Sequence, residues 1–94
     1  PLDATEAVQW GLIWKSCPDE ELMPTATALA ANFANGPTAA YAGTKSLMRA
    51  ALFNSLDAHL DAEAQEQQKA GWSNDYAEGV RAFLAKRPAN FTGN

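Results

Sequence analysis

Hydrophobic and polar positions along the chain fall into helical periods separated by breaks that carry proline or glycine. Asp3, with Glu6 three residues on, has the spacing of a capping box, and Leu2 and Ala7 occupy the positions of a hydrophobic staple. This predicts a first helix from about Ala4 to Trp10, stopped by Gly11 in the left-handed conformation. Residues 12–17 (LIWKSC) form a short β-prone run closed by Pro18, which predicts one strand. A single strand leaves its own backbone groups unpaired, so it needs a partner from outside the elements read here.

The rest of the pattern is helical. Asp19, Glu20 and Glu21 put negative charge where a helix N-terminus favours it, and Pro24 is tolerated only in a first turn, so a helix starts near it. Leu22, Ala26, Leu29, Ala30 and Phe33 share one face, and Asn35-Gly36-Pro37 ends the helix with Gly36 as a left-handed cap. Thr44, Leu47, Met48, Ala51 and Leu52 form the stripe of the next helix. Ser55 caps another, with an expected inner face of Leu56, Leu60, Ala64 and Gln67. A turn over 70–73 leads to a last helix capped by Ser73 or Asn74. Its stripe is Tyr76, Val80, Phe83, Leu84 and Arg87, and Pro88 closes it. The expected fold class is therefore mainly α: about five helices and one orphan strand near residues 12–17.

Composition narrows the class. With 94 residues and 47% hydrophobic content the chain has material for one small domain and its core. A net charge of −4 disfavours a nucleic-acid or anionic-membrane surface. The single cysteine, Cys17, excludes an intrachain disulfide framework and fits a reducing compartment, the cytoplasm. No apolar run approaches the ~20 residues that cross a bilayer. The chain opens at Pro1, one residue before a cap region, and together with the orphan strand this leads us to expect a piece of a larger chain. Charge is unevenly distributed: residues 1–78 balance at −7, whereas 79–94 hold Arg81, Lys86 and Arg87 with no acid. Those cations either complement a helix C-terminus or form an anion site.

Complete catalytic constellations are missing from the residues themselves. His59 and Glu63 make an i,i+4 pair, but two groups do not build a metal site, and Asp57 and Asp61 fall mainly on the solvated side. Cys17 has no histidine to activate it and reads as a small buried thiol. Residues 42–46 (AGTKS) superficially resemble a phosphate-binding loop, but Thr44 interrupts the Gly-Lys-Ser order inside a helix. Asn90-Phe91-Thr92 is a formal glycosylation sequon with nothing else to suggest secretion. The three tryptophans lie outside the cleanest stripes; Trp72, in a turn, suits either a neighbouring surface or the core.

Three segments carry a resemblance. EAVQWGLIWKSCP is similar to the helix, glycine and strand that enter the C-terminal region of the enoyl-CoA hydratase/isomerase (crotonase) superfamily. NGPTAAYAGTKSLM fits the connecting region, and DYAEGVRAFLAKRPANFTG resembles the superfamily's C-terminal signature of EG, AF, KR, P and F. Within the superfamily, WGLIW and the tail are most similar to the branch of bacterial phenylacetate catabolism that rearranges ring-1,2-epoxyphenylacetyl-CoA to its oxepin.

The resemblance implies a ββα spiral preceding this segment, with residues 1–18 as the tail of the spiral core and 19–94 as a helical trimerisation region. It implies an acyl-CoA thioester as substrate, no separate cofactor since CoA belongs to the substrate, and a homotrimer or hexamer with no nucleic-acid or membrane partner. The oxyanion hole and catalytic carboxylates of the superfamily precede these residues, so no residue here is expected to be catalytic. Two positions carry over as CoA contacts supplied by a neighbouring subunit: Phe83 at the acyl or pantetheine pocket and Lys86 at the phosphorylated ribose, with Arg87 a weaker candidate. Their three-residue spacing suits one helix face. Cys17 departs from a usual small aliphatic, and the single Pro88 shortens the common basic linker. Other expected readings are a fatty-acid-type enoyl-CoA hydratase and, from a different class, a freestanding helical oligomerisation module.

Overall fold

The computed structural model describes residues 1–94. In chain order it has α1 (Ala4–Gln9), a 3-10 turn (Asp19–Glu21), α2 (Leu22–Ala34), α3 (Thr38–Ala50), α4 (Leu56–Gly71) and α5 (Asn74–Leu84). Two compact units divide at residue 30, inside α2.

In the first unit, Asp3 and Glu6 close the expected capping box: Glu6 N–H donates to Asp3 Oδ1 at 2.8 Å, and Asp3 N–H donates to Glu6 Oε2 at 3.4 Å. Gly11, at φ 71°, ends α1. Its N–H donates to the Val8 carbonyl at 3.0 Å, and Leu12 N–H reaches back to Ala7 at 2.9 Å, which together make a Schellman motif. The expected strand over 12–17 does not form; these residues are bends and irregular backbone. The reason is that Leu12 and Ile13 spend their N–H groups on the Ala7 carbonyl at the end of α1, and no second strand lies alongside to accept a ladder. Cys17 is half-buried in this irregular stretch, so it is not the fully buried thiol expected at a strand end. Pro24 sits in the first turn of α2, where its missing N–H has no intrahelical partner to lose.

The second unit is built from the end of α2, α3, α4, α5 and the C-terminal residues, with α4 packed against both α3 and α5. Gly36 does not have positive φ, which corrects its expected role as a left-handed cap. It is buried because the Tyr41 ring lies on it: an added Cβ would stand 2.7 Å from Tyr41 Cε2 and Cζ and collide with the hydroxyl. That ring packs edge-on against Phe33, with centroids 5.7 Å apart and an 81° interplanar angle. Absence of a side chain, rather than conformational freedom, is what the position needs.

Helix faces also differ from the expected ones. Along α4 the half-buried positions are His59, Ala62, Glu66 and Ala70, whereas Leu56 and Leu60 are exposed. Small side chains let the helices approach closely. At Gly43 of α3 an added Cβ would lie 2.9 Å from Glu66 Oε2. On α5 the buried positions are Asp75, 4% exposed, and Ala82, 2% exposed, while Tyr76, Val80, Phe83 and Leu84 face outward. Trp72 is 86% exposed, so it takes no part in the core formed within these residues. The hydrophobic content expected to supply a core therefore lies largely on the surface, because the faces that pack within the chain carry small and polar residues.

Candidate functional site: the C-terminal turn and its carboxylate clamp

Ser73 starts α5 by accepting the Tyr76 N–H at 3.0 Å. Counting along the helix, Asp75, Glu78, Gly79 and Ala82 share one face, and the chain beyond α5 folds back along it. Asp75 fixes the end of this strap. One carboxylate oxygen accepts the Thr92 N–H at 2.7 Å, the other accepts the Gly93 N–H at 2.8 Å, and the Asp75 N–H donates to the Asn94 carbonyl at 2.9 Å. Gly93, at φ 85°, takes a left-handed conformation that L side chains rarely adopt.

Glu78 fixes the start of the strap. Arg87 donates Nη1 to Glu78 Oε1 at 2.6 Å and Nη2 to Oε2 at 3.0 Å, a fork-on-carboxylate pair. The Asn90 N–H donates to Glu78 Oε1 at 3.0 Å, and Arg87 Nη1 also reaches the Pro88 carbonyl at 2.9 Å. Arg81 approaches the same carboxylate at 3.5 Å. The Arg87 hydrogen bond, then the Asn90 N–H, hold the Glu78 carboxyl down at about 2, and the carboxylate in turn raises Arg87.

Between these anchors α5 ends at Leu84, not at Pro88, so the proline is not what closes it. Lys86 N–H donates to the Phe83 carbonyl at 3.2 Å and Arg87 N–H to the Ala82 carbonyl at 3.1 Å, a second Schellman motif. The residue in its left-handed position is Lys86, at φ 50°, where glycine is the usual occupant. Holding a non-glycine residue there costs roughly 1–2 kcal/mol. Lys86 is thus outside the helix and does not share a helix face with Phe83 as expected; the two are joined instead by the turn's own hydrogen bond.

Each residue singled out from sequence has a definite place. Phe83 is 82% exposed and contributes to an open apolar groove of about 700 Å³ with Leu47, Ala70, Tyr76, Val80 and Phe91. Lys86 is exposed and makes no ion pair. Arg87, the weaker candidate for a ligand contact, is committed to Glu78. His59 Nε2 lies 3.6 Å from Glu63 Oε1, its Nδ1 is buried without a partner, and no three acidic, histidine or cysteine side chains gather as metal ligands. Residues 42–46 lie inside α3, as the reading against a phosphate loop required. Sequence reasoning missed Asp75 and Glu78. Apart from Arg81, the partners of the two carboxylates are nine to eighteen residues away, beyond any helical spacing, and only Pro88 and Gly93 hint that the chain turns back.

The helical array and the strap define a class. The enoyl-CoA hydratase/isomerase family pattern matches residues 1–94, and the chain belongs to that family, the crotonase superfamily. It is 47% identical over 92 residues to the 1,2-epoxyphenylacetyl-CoA isomerase of Escherichia coli K12, covering 98% of this chain and 35% of that protein. It is equally 47% identical to the "probable enoyl-CoA hydratase" of Rhodobacter capsulatus, covering 98% of this chain and 36% of the relative. A crystal structure from Mycobacterium abscessus assigned to the enoyl-CoA hydratases/isomerases superposes with a TM-score of 0.94 at 36% identity, covering 99% of this chain and 36% of that one. The chain spans about a third of the length of the relatives it matches. No helix is long and apolar enough to cross a membrane.

Proposed function

We propose that this chain is the C-terminal helical part of a cytoplasmic, homotrimeric or hexameric acyl-CoA isomerase that rearranges ring-1,2-epoxyphenylacetyl-CoA. In this reading residues 1–18 complete the spiral core and 19–94 mediate assembly. The oxyanion hole and the catalytic carboxylate come from the remainder of the protein, and no separate cofactor takes part. Phe83 and Lys86 reach the CoA of a neighbouring subunit. Family membership and the similarity to the Escherichia coli isomerase support the substrate class.

The observation that carries the reading is the pairing of an exposed phenyl ring with an uncommitted ammonium at the end of α5. The acyl group is apolar and the nucleotide end of CoA is phosphorylated, so an exposed ring and a free ammonium suit the two ends of the ligand. A shielded ammonium–phosphate contact contributes roughly 1.5–3 kcal/mol. The test is to supply the full-length protein with ring-1,2-epoxyphenylacetyl-CoA and, separately, with a trans-2-enoyl-CoA. Oxepin formation is expected. Hydration of the enoyl ester alone would replace this reading with a fatty-acid-type hydratase, which the Rhodobacter relative's name makes the second candidate.

A further inference from the structure

Three cations lie within seven residues at the C-terminal end of α5, and they are not equivalent. Glu78 takes Arg87 in a two-point contact and draws Arg81 to 3.5 Å, which leaves Lys86 as the one cation of this cluster without an acid. Lys86 is also the residue with the least favourable backbone of the three, in a left-handed position that glycine would fill without strain. A strained non-glycine residue persists where its surroundings over-determine it, and such positions concentrate at ligand contacts. Here the surroundings are identifiable. Arg87, the next residue, is held by two bonds to Glu78, and Asn90 N–H is held by the same carboxylate. Pro88 restricts the backbone between them. On the other side, the Lys86 N–H is tied to the Phe83 carbonyl.

We propose that Glu78 is a positioning residue for CoA recognition: by engaging Arg87 and the Asn90 N–H it holds the left-handed turn that presents Lys86, and not Arg87, to the nucleotide phosphate. This rests on the reading that Lys86 meets CoA. Glu78 itself touches no substrate. It removes the competing guanidinium and sets the direction in which the Lys86 side chain leaves the backbone. The carboxylate suits this task because it can receive two guanidinium donors and a backbone N–H together.

The experiment uses the full-length enzyme with Glu78→Gln, Arg87→Ala, Lys86→Ala and the double variant Glu78→Gln/Lys86→Ala. Each is assayed with a CoA ester and with the matching pantetheine ester, which lacks the nucleotide. Lys86→Ala is expected to raise KM for the CoA ester by roughly tenfold to 150-fold and to leave the pantetheine ester unchanged. Glu78→Gln and Arg87→Ala are expected to reproduce that split, with kcat retained. The double variant is expected to be no worse than Lys86→Ala, because one contact cannot be lost twice.

Different failures separate the two ideas. If Lys86→Ala weakens both esters equally, or neither, the nucleotide contact is wrong and the positioning role falls with it. If Lys86→Ala shows the split but Glu78→Gln does not, or adds fully to it, the contact stands and the positioning role is overturned. Tighter CoA binding in Glu78→Gln, as a released Arg87 would produce, also overturns it. Equal loss of kcat on both esters in Glu78→Gln and Arg87→Ala marks a merely structural role and overturns it as well.

Discussion

Arg87 presents both terminal nitrogens to both carboxylate oxygens of Glu78, nine residues earlier, at 2.6 and 3.0 Å. That separation is too long for a pair on one helix and requires the chain to reverse after α5. The pair thus reports the tertiary fold of the strap. Glu78 is only 14% exposed in this contact, so solvent screens it less than an ordinary surface pair.

The pair makes the strap sensitive to acid. Glu78 titrates in the folded chain near 2 against an ordinary 4.5. A folded value below the unfolded one means the carboxylate's contribution is whole above about pH 4.5 and is lost as the pH falls toward 2. Urea denaturation is expected to show Glu78→Gln less stable than the parent at pH 6, with the gap shrinking steadily between pH 4.5 and 2. A gap that stays constant over this range would contradict the account.

Two left-handed turns with different residues invite a comparison. Gly11 and Lys86 hold the same position of a Schellman motif, at φ 71° and 50°. Lys86→Gly is expected to raise stability by up to about 1 kcal/mol, and Gly11→Ala to lower it by about 1 kcal/mol. Denaturant midpoints measure both. A destabilising Lys86→Gly would mean that the lysine stem packs on something and offsets its backbone strain.

Gly36 tests a steric claim. A methyl group there collides with the Tyr41 ring, so Gly36→Ala is expected to cost about 1–3 kcal/mol. In a Tyr41→Ala background the same change is expected to cost little, because the ring it strikes is gone. Equal costs in the two backgrounds, read from thermal unfolding, would place the strain elsewhere.

The exposed leucines of α4 give a further check. Leu60 is 52% exposed and Leu56 more so. Replacing both by serine is expected to change the unfolding free energy of this chain by no more than about 1 kcal/mol, as for surface positions. Sedimentation is expected to show weaker self-association in the same variant, since apolar surface of this kind favours it. A large loss of stability would show that these leucines are buried after all.

Local chemistry was legible in the sequence. The Asp3–Glu6 capping box, the stop at Gly11, the tolerance of Pro24 in a first turn and the caps at Ser55 and Ser73 all depend on neighbours within a few residues, and all are present. The tail motif also identified the family, because its EG, AF, KR and P-x-x-F residues make up α5 and the strap. Other features required the tertiary structure. Residues 12–17 have strand composition, but a strand exists only beside a partner, and here their N–H groups return to α1. Periodicity put Leu56 and Leu60 inside. It reports which face of a helix is apolar, not which face its neighbours can approach, and close approach selected His59, Ala62, Glu66 and Ala70. Glu78 and Arg87 were each visible as charges. That they meet, and leave Lys86 unpaired, follows only from the chain folding back on itself.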